Sequence, residues 1–177
     1  MNRLQSLFGW YCAGVAIWLL LPGVACGAAG PKGAAFDSGR EVDVLSTNVS
    51  AAGAKIQVAQ PGSPLDGVTV EIPPDAVTDT VPIRLYYNTG KFTPVSGTPA
   101  PVVVGISAGN LKRFQKIVKI QVPYDAKHYA GMAVVGYAIG AGGKVTGLQM
   151  LSQDEKAGTA TFGTLVPVLF TWVCAKP

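Results

Sequence analysis

The chain has 177 residues, 49% of them hydrophobic and only 14% charged, with a formal net charge of +4 at pH 7. Its one local basic cluster, Lys112, Arg113, Lys116 and Lys119, reads as the polar side of a loop and strand. A nucleic-acid reader would show a broad basic face with interleaved aromatics, so no nucleic-acid partner is expected.

The first segment is apolar. Met1-Asn2-Arg3 carries a single side-chain charge, and Leu7 to Ala25 then runs through Phe8, Trp10, Ile17, Trp18, Leu19 and Leu21 almost without polarity. That is the order of a secretory signal's n- and h-regions. Pro22 and Gly23 break the run before Ala25-Cys26-Gly27-Ala28-Ala29, small residues that suit a signal peptidase. Residues 1–28 are therefore expected to be a signal peptide and 29–40 a flexible segment, ahead of a β-sandwich domain over 41–177. Two other readings stand beside cleavage. An uncleaved anchor needs about 20 apolar residues, but Gly9, Gly14, Pro22 and Gly23 interrupt this run and no charged stop follows. Lipidation at Cys26 would follow from Gly23-Val24-Ala25-Cys26, which resembles a bacterial lipoprotein signal at Ala25 though not at Gly23. Each reading places the protein outside the cytoplasm: periplasmic, in the cell envelope or extracellular. Membrane contact is expected only through the signal segment or a lipidated Cys26.

From Glu41 onward short β-rich segments alternate with Gly, Pro, Asn and Asp, and no stretch holds a helical period. Strands are expected over 42–47, 55–59, 68–72, 82–87, 102–107, 118–122, 133–139, 146–151, 159–164 and 168–173. Ten short strands in roughly 150 residues imply one sandwich or barrel. In Val68-Thr69-Val70-Glu71-Ile72 and Val118-Lys119-Ile120-Gln121-Val122, aliphatic and polar residues alternate as in a strand with one wet face.

These two segments repeat at a spacing of fifty, Ile72-Pro73-Pro74-Asp75-Ala76 being answered by Val122-Pro123-Tyr124-Asp125-Ala126, which suggests two related sheet units. Pro73 and Pro123 lack an N–H and end their strands, and Asp75 and Asp125 are placed to accept backbone N–H bonds in the turns that follow. Between the halves, Thr93 to Pro101 is Pro-rich and expected to cross from one sheet to the other.

Candidate chemistry is sparse. Gly105-Ile106-Ser107-Ala108-Gly109 fits the nucleophile elbow of α/β-hydrolases, with Asp125 and the sole histidine, His128, downstream in that fold's order. The elbow needs a helix after its turn, and Asn110 to Gln115 leads straight into another strand, so no catalytic residue is assigned. A small secreted serine hydrolase using Ser107 is the rival from another class. Zinc wants four Cys or His ligands, and the segment after the leader offers only His128 and Cys174, with Cys26 at the border. Asp75 and Asp79 lie near one loop without the Asp-x-Asp-x-Asp spacing of a calcium loop. No metal or cofactor is expected. Tyr124, His128 and Tyr129 form the one loop with concentrated aromatic character and are the candidate binding residues, for a sugar ring or a protein partner. With Cys26 removed or acylated, Cys174 is a buried free thiol; otherwise a Cys26–Cys174 bridge or an intermolecular bond is open to it.

Val70-Glu71-Ile72-Pro73-Pro74-Asp75-Ala76-Val77, with the strand Ile83 to Tyr87 after it, is similar to the aliphatic-x-Ile-Pro-x-Gly-Ala-Leu segment of ankyrin- and netrin-receptor-type ZU domains. Phe114 to Asp125 resembles the Phe-x-x-Pro-Val-x-Ile-x-Ile-Pro-Tyr strand later in such ZU/UPA-like modules and their relatives in bacterial envelope proteins. The resemblance covers most of Gly67 to Val173. It implies an all-β fold, an antiparallel Ig-like β-sandwich, acting without catalysis as an assembly or scaffold module. Some members of that superfamily cleave themselves at His-Phe-Ser; the matching Leu169-Phe170-Thr171 has no base, which argues against self-cleavage. The expected function is therefore an exported structural or protein-interaction module, with another envelope or extracellular protein as partner. A carbohydrate- or ligand-binding module is the alternative.

Overall fold

The computed structural model describes residues 33–176. The signal segment, its cleavage point and Cys26 lie outside the described residues. Thirteen strands follow in order: β1 (Ala35–Asp37), β2 (Glu41–Val49), β3 (Ala54–Gln57), β4 (Thr69–Ile72), β5 (Val81–Asn88), β6 (Lys91–Thr93), β7 (Thr98–Pro99), β8 (Val103–Ser107), β9 (Val118–Pro123), β10 (Ala133–Ile139), β11 (Val145–Asp154), β12 (Thr159–Thr164) and β13 (Val168–Ala175). Every pairing is antiparallel. A single 3-10 turn, Ala141–Gly143, is the one helical element among the described residues, and none is long and apolar enough to cross a membrane.

Ten strands lie in the order β2-β5-β8-β13-β10-β11-β12-β9-β4-β3, with β7 added beside β13. The sheet folds over on itself at β11, whose first residues pair with β10 and whose later residues pair with β12. A bulge at Leu151, between Met150 and Ser152, accompanies that change of layer. The two ends of the sheet, β2 and β3, come round to the same core: Val44, Leu45 and Val49 pack in one cluster with Ile56. The result is a two-layered, nearly closed, barrel-like all-β body. The side chain of Gln60 reaches over the remaining seam, its Nε2 donating to the Val44 carbonyl at 3.3 Å.

Side-chain alternation builds this core. One layer contributes Ile83, Leu85, Val104, Ile106, Phe170 and Trp172, the other Val70, Ile72, Val118, Ile120, Val122 and Phe162. Burying each such side chain is worth about 1.5–3 kcal/mol relative to leaving it in water. Phe162 fits because Gly136 on β10 has no side chain; a Cβ there would sit 2.6 Å from its ring.

A second, smaller cluster lies on the outer face of the first layer, where Phe92, Val103, Tyr137, Ile139 and Val173 are buried. The two-stranded sheet of β1 and β6 brings Phe36 to it. The folded body therefore begins before Glu41: Ala35–Asp37 is a strand inside the segment expected to be flexible. Asn88, 4% exposed, fastens this strap, its Oδ1 accepting the amides of Gly39 at 2.9 Å and Gly90 at 2.8 Å.

Two expectations are corrected. The fifty-residue repeat does not mark two sheet units, because β4 and β9 are direct neighbours in one layer, with Val70 opposite Ile120 and Glu71 opposite Lys119. The copies are alike because adjacent strands share one buried and one wet face. The Pro-rich connection stays with the first layer, supplying β7, which pairs with Val173 and Cys174 of β13.

A candidate ligand groove at the open end of the barrel

Antiparallel order brings the start of β4, the end of β9, the approach to β8 and the end of β13 to one end of the body. A groove of about 520 Å³ opens there. Trp172 and Cys174 form its floor and Val68 one side, all three buried. Exposed Pro64, Pro99, Pro101 and Pro123 make its walls, joined by Thr98 and Ala100, while Tyr124, Asp125 and Tyr129 close it from the loop after β9.

Each wall is held by local bonds. The Ala100 amide donates to the Trp172 carbonyl at 2.8 Å, continuing the pairing of β7 with β13. In the loop after β9, Asp125 does what its position implied: its Oδ1 accepts the amides of Lys127 at 3.2 Å and His128 at 3.0 Å. The Tyr129 amide adds a bond to the Asp125 carbonyl at 3.0 Å. The Tyr124 hydroxyl accepts from Gln153 Nε2 at 3.0 Å. The same Gln153 side chain donates to the Met132 carbonyl and accepts the buried Val134 amide, at 3.0 and 2.9 Å. Nothing in the pattern around Gln153 distinguished it from a surface strand residue.

Of the three candidate binding residues, Tyr124 and Tyr129 line the groove, half-buried against the core. His128 is exposed, set edge-on to the Tyr129 ring at 4.6 Å between centroids, and is not among the lining residues. Trp172, Cys174 and the four prolines complete the site from segments distant in sequence. Cys174 is buried and has no disulfide partner among the described residues, and burial pushes the pKa of its thiol up. Its thiol is therefore a neutral, apolar lining group at neutral pH.

Ser107 does not join Asp125 and His128. It ends β8 on the outward side, opposite Arg84, whereas the Asp125 loop lies at the other end of that strand, on the order of 15 Å away. Thr171, read against the self-cleaving step, is fully buried and donates its hydroxyl to the Val102 carbonyl at 3.1 Å. Asp75 departs from its expected role: its carboxylate pairs with Lys116 at 3.1 Å, and its own amide donates to the Ala51 carbonyl at 2.7 Å. Asp79 accepts a bond from the Thr78 hydroxyl at 3.1 Å. Within the basic cluster, Lys119 pairs with Glu71 at 3.4 Å.

No protein-family model matches this chain, and no curated protein does. The groove is thus read from its own chemistry. It is concave and mostly apolar, and its size lies within the roughly 300–1,000 Å³ of ligand-binding clefts.

Proposed function

We propose that this protein is an exported, non-catalytic β-sandwich of the Ig-like kind that serves as a protein-interaction module in a cell envelope or outside the cell. The reading rests on the groove above all, a preformed apolar concavity that gathers Tyr124, Tyr129 and Trp172 where the loops converge. The apolar leader favours export. The likeness to ZU/UPA-like modules has one physical support: Asp75 stands where their pattern carries Gly, and its φ of 59° is the left-handed backbone that Gly adopts at no cost.

A photo-crosslinking residue in place of Tyr129, in the native host, tests the proposal. A discrete protein adduct is the expected result. Failure to recover any adduct, together with ester or peptide turnover by the purified protein that Ser107→Ala abolishes, overturns it in favour of the hydrolase.

A further inference from the structure

We infer that the groove takes an extended peptide segment of its partner that inserts an aromatic ring between the proline walls and sets a basic side chain against Asp125. This rests on the interaction-module reading and names the occupant of that site.

The backbone edge beside the groove is poorly suited to strand addition. The Ala100 amide points to β13, where it bonds to Trp172. Alternation along an extended chain then turns the flanking positions, Pro99 and Pro101, away from β13, and neither has an N–H to offer. A partner segment running along this edge finds no donors at the positions a ladder would use. Side chains then carry most of its affinity.

The walls suit a ring. Pyrrolidine rings are rigid and lose no rotamer freedom when a ligand packs on them, so their contact area converts to affinity with little ordering penalty. Aromatic residues supply the largest buried area per side chain and dominate anchor positions in interfaces. The half-buried Tyr124 and Tyr129 offer ring edges and faces to such an anchor.

The rim sets the charge. Asp125 is the single charged residue among those lining the groove. Its Oδ1 is occupied by two backbone amides, and none of the hydrogen bonds or ion pairs of the described residues engages Oδ2. Asp125 also borders the neighbouring depression, which Lys127, Glu155 and Lys156 line, so its carboxylate stands on the ridge between that mixed-charge surface and the groove. A guanidinium or ammonium beside the anchoring ring meets an acceptor already held in place by its turn.

Titration of the full chain with the peptide acetyl-Gly-Phe-Arg-Gly-amide, followed by calorimetry and by amide shifts at Ala100, Tyr129 and Trp172, tests the assignment. Binding that weakens by about tenfold, roughly 1.4 kcal/mol, when Arg is replaced by Glu, and again when Phe is replaced by Ala, is expected. Asp125→Asn keeps an oxygen for the turn, and in that variant the Arg and Glu peptides should bind alike. Equal binding of both peptides to the native chain, or an Arg preference that survives Asp125→Asn, overturns the inference. So does binding to a glycan array that Tyr129→Ala removes while no peptide binds. A Tyr129 crosslink to a protein partner alongside peptide failure discards this occupant and leaves the module reading standing.

Discussion

The phenol ring of Tyr86 lies over Gly105, its register partner across β5 and β8, so closely that a methyl group on Gly105 would collide with the ring. The apparent nucleophile elbow therefore uses its glycines for other ends: Gly105 makes room for a ring, and Gly109 turns the chain with φ +54°. Arg84 caps the same ring at 4.4 Å and pairs with Glu41 at 2.6 Å and Asp43 at 3.1 Å.

Gly105→Ala should lower the stability of the native chain by about 1–3 kcal/mol through overpacking, read as a fall in denaturant midpoint. In a Tyr86→Ala background the same change should have little effect, since the colliding ring is gone. Ser107→Ala, at the half-exposed end of β8, should shift stability by less than about 0.5 kcal/mol. An undiminished loss in the Tyr86→Ala background would contradict the contact.

Asn88→Ala leaves the amides of exposed Gly39 and half-buried Gly90 without their shared acceptor, at about 0.5–1.5 kcal/mol for each bond lost. Detachment of β1 and β6 should follow, uncovering Phe92 and Tyr137. Enhanced binding of a hydrophobic dye and faster hydrogen exchange in 33–40, with the remaining core still protected, are the expected readings. Uniform loss of protection across the chain would show that the strap is no separate unit.

Asp75 occupies the left-handed region at φ 59°, which costs a non-glycine residue about 1–2 kcal/mol. Its ion pair with Lys116 is well exposed and worth no more than about 1 kcal/mol. Asp75→Gly should accordingly be neutral or stabilising in a thermal melt, whereas Asp75→Val, β-branched at positive φ, should be destabilising. A large loss in the glycine variant would assign the carboxylate a greater role than its geometry does.

Burial raises the pKa of Cys174, and burial first, with the charge of Glu41 next, raises that of Tyr86. The folded state thus holds protons that the unfolded chain releases at alkaline pH. The stability they contribute is fully present below the ordinary thiol value of about 8.5, and is lost as pH rises through the raised folded values. Tyr86 adds its share above about 10. Urea midpoints measured from pH 7 to 11 should fall over this range, and Cys174→Ala should flatten the first part of the decline. A decline of unchanged shape in that variant would remove the thiol from the account.

Gln153→Ala removes three bonds at once and leaves the buried Val134 amide without its acceptor. A loss of about 1–3 kcal/mol is expected from that amide. Broadened ring resonances of Tyr124 should accompany it, since its hydroxyl partner holds one wall of the groove. Sharp, unshifted Tyr124 signals would mean that core packing alone positions the ring.

Short β-rich runs cut by Gly, Pro, Asn and Asp were enough to place all ten longer strands, with 133–139 and 159–164 matching from end to end. β1, β6 and β7 escaped because two or three residues hold no period. Their extended state is imposed by partners: Phe36 opposite Phe92, and Pro99 opposite Val173. Tyr124 and Tyr129 were legible as a site because both lie in one loop. Trp172 was one unmarked position in the expected strand 168–173, Pro123 a strand end, and Pro99 and Pro101 part of the Pro-rich connection.

The amino-acid sequence by itself determined the all-β class, the strand positions and the aromatic loop, since these follow from local periodicity and turn chemistry. Tertiary structure alone decided that the repeated segments are neighbours, that Ser107 and His128 stand apart, and that four distant prolines and Trp172 meet around Tyr129. Those outcomes depend on strand order and register, which are settled by which faces bury together over separations of dozens of residues, and no local pattern encodes that choice.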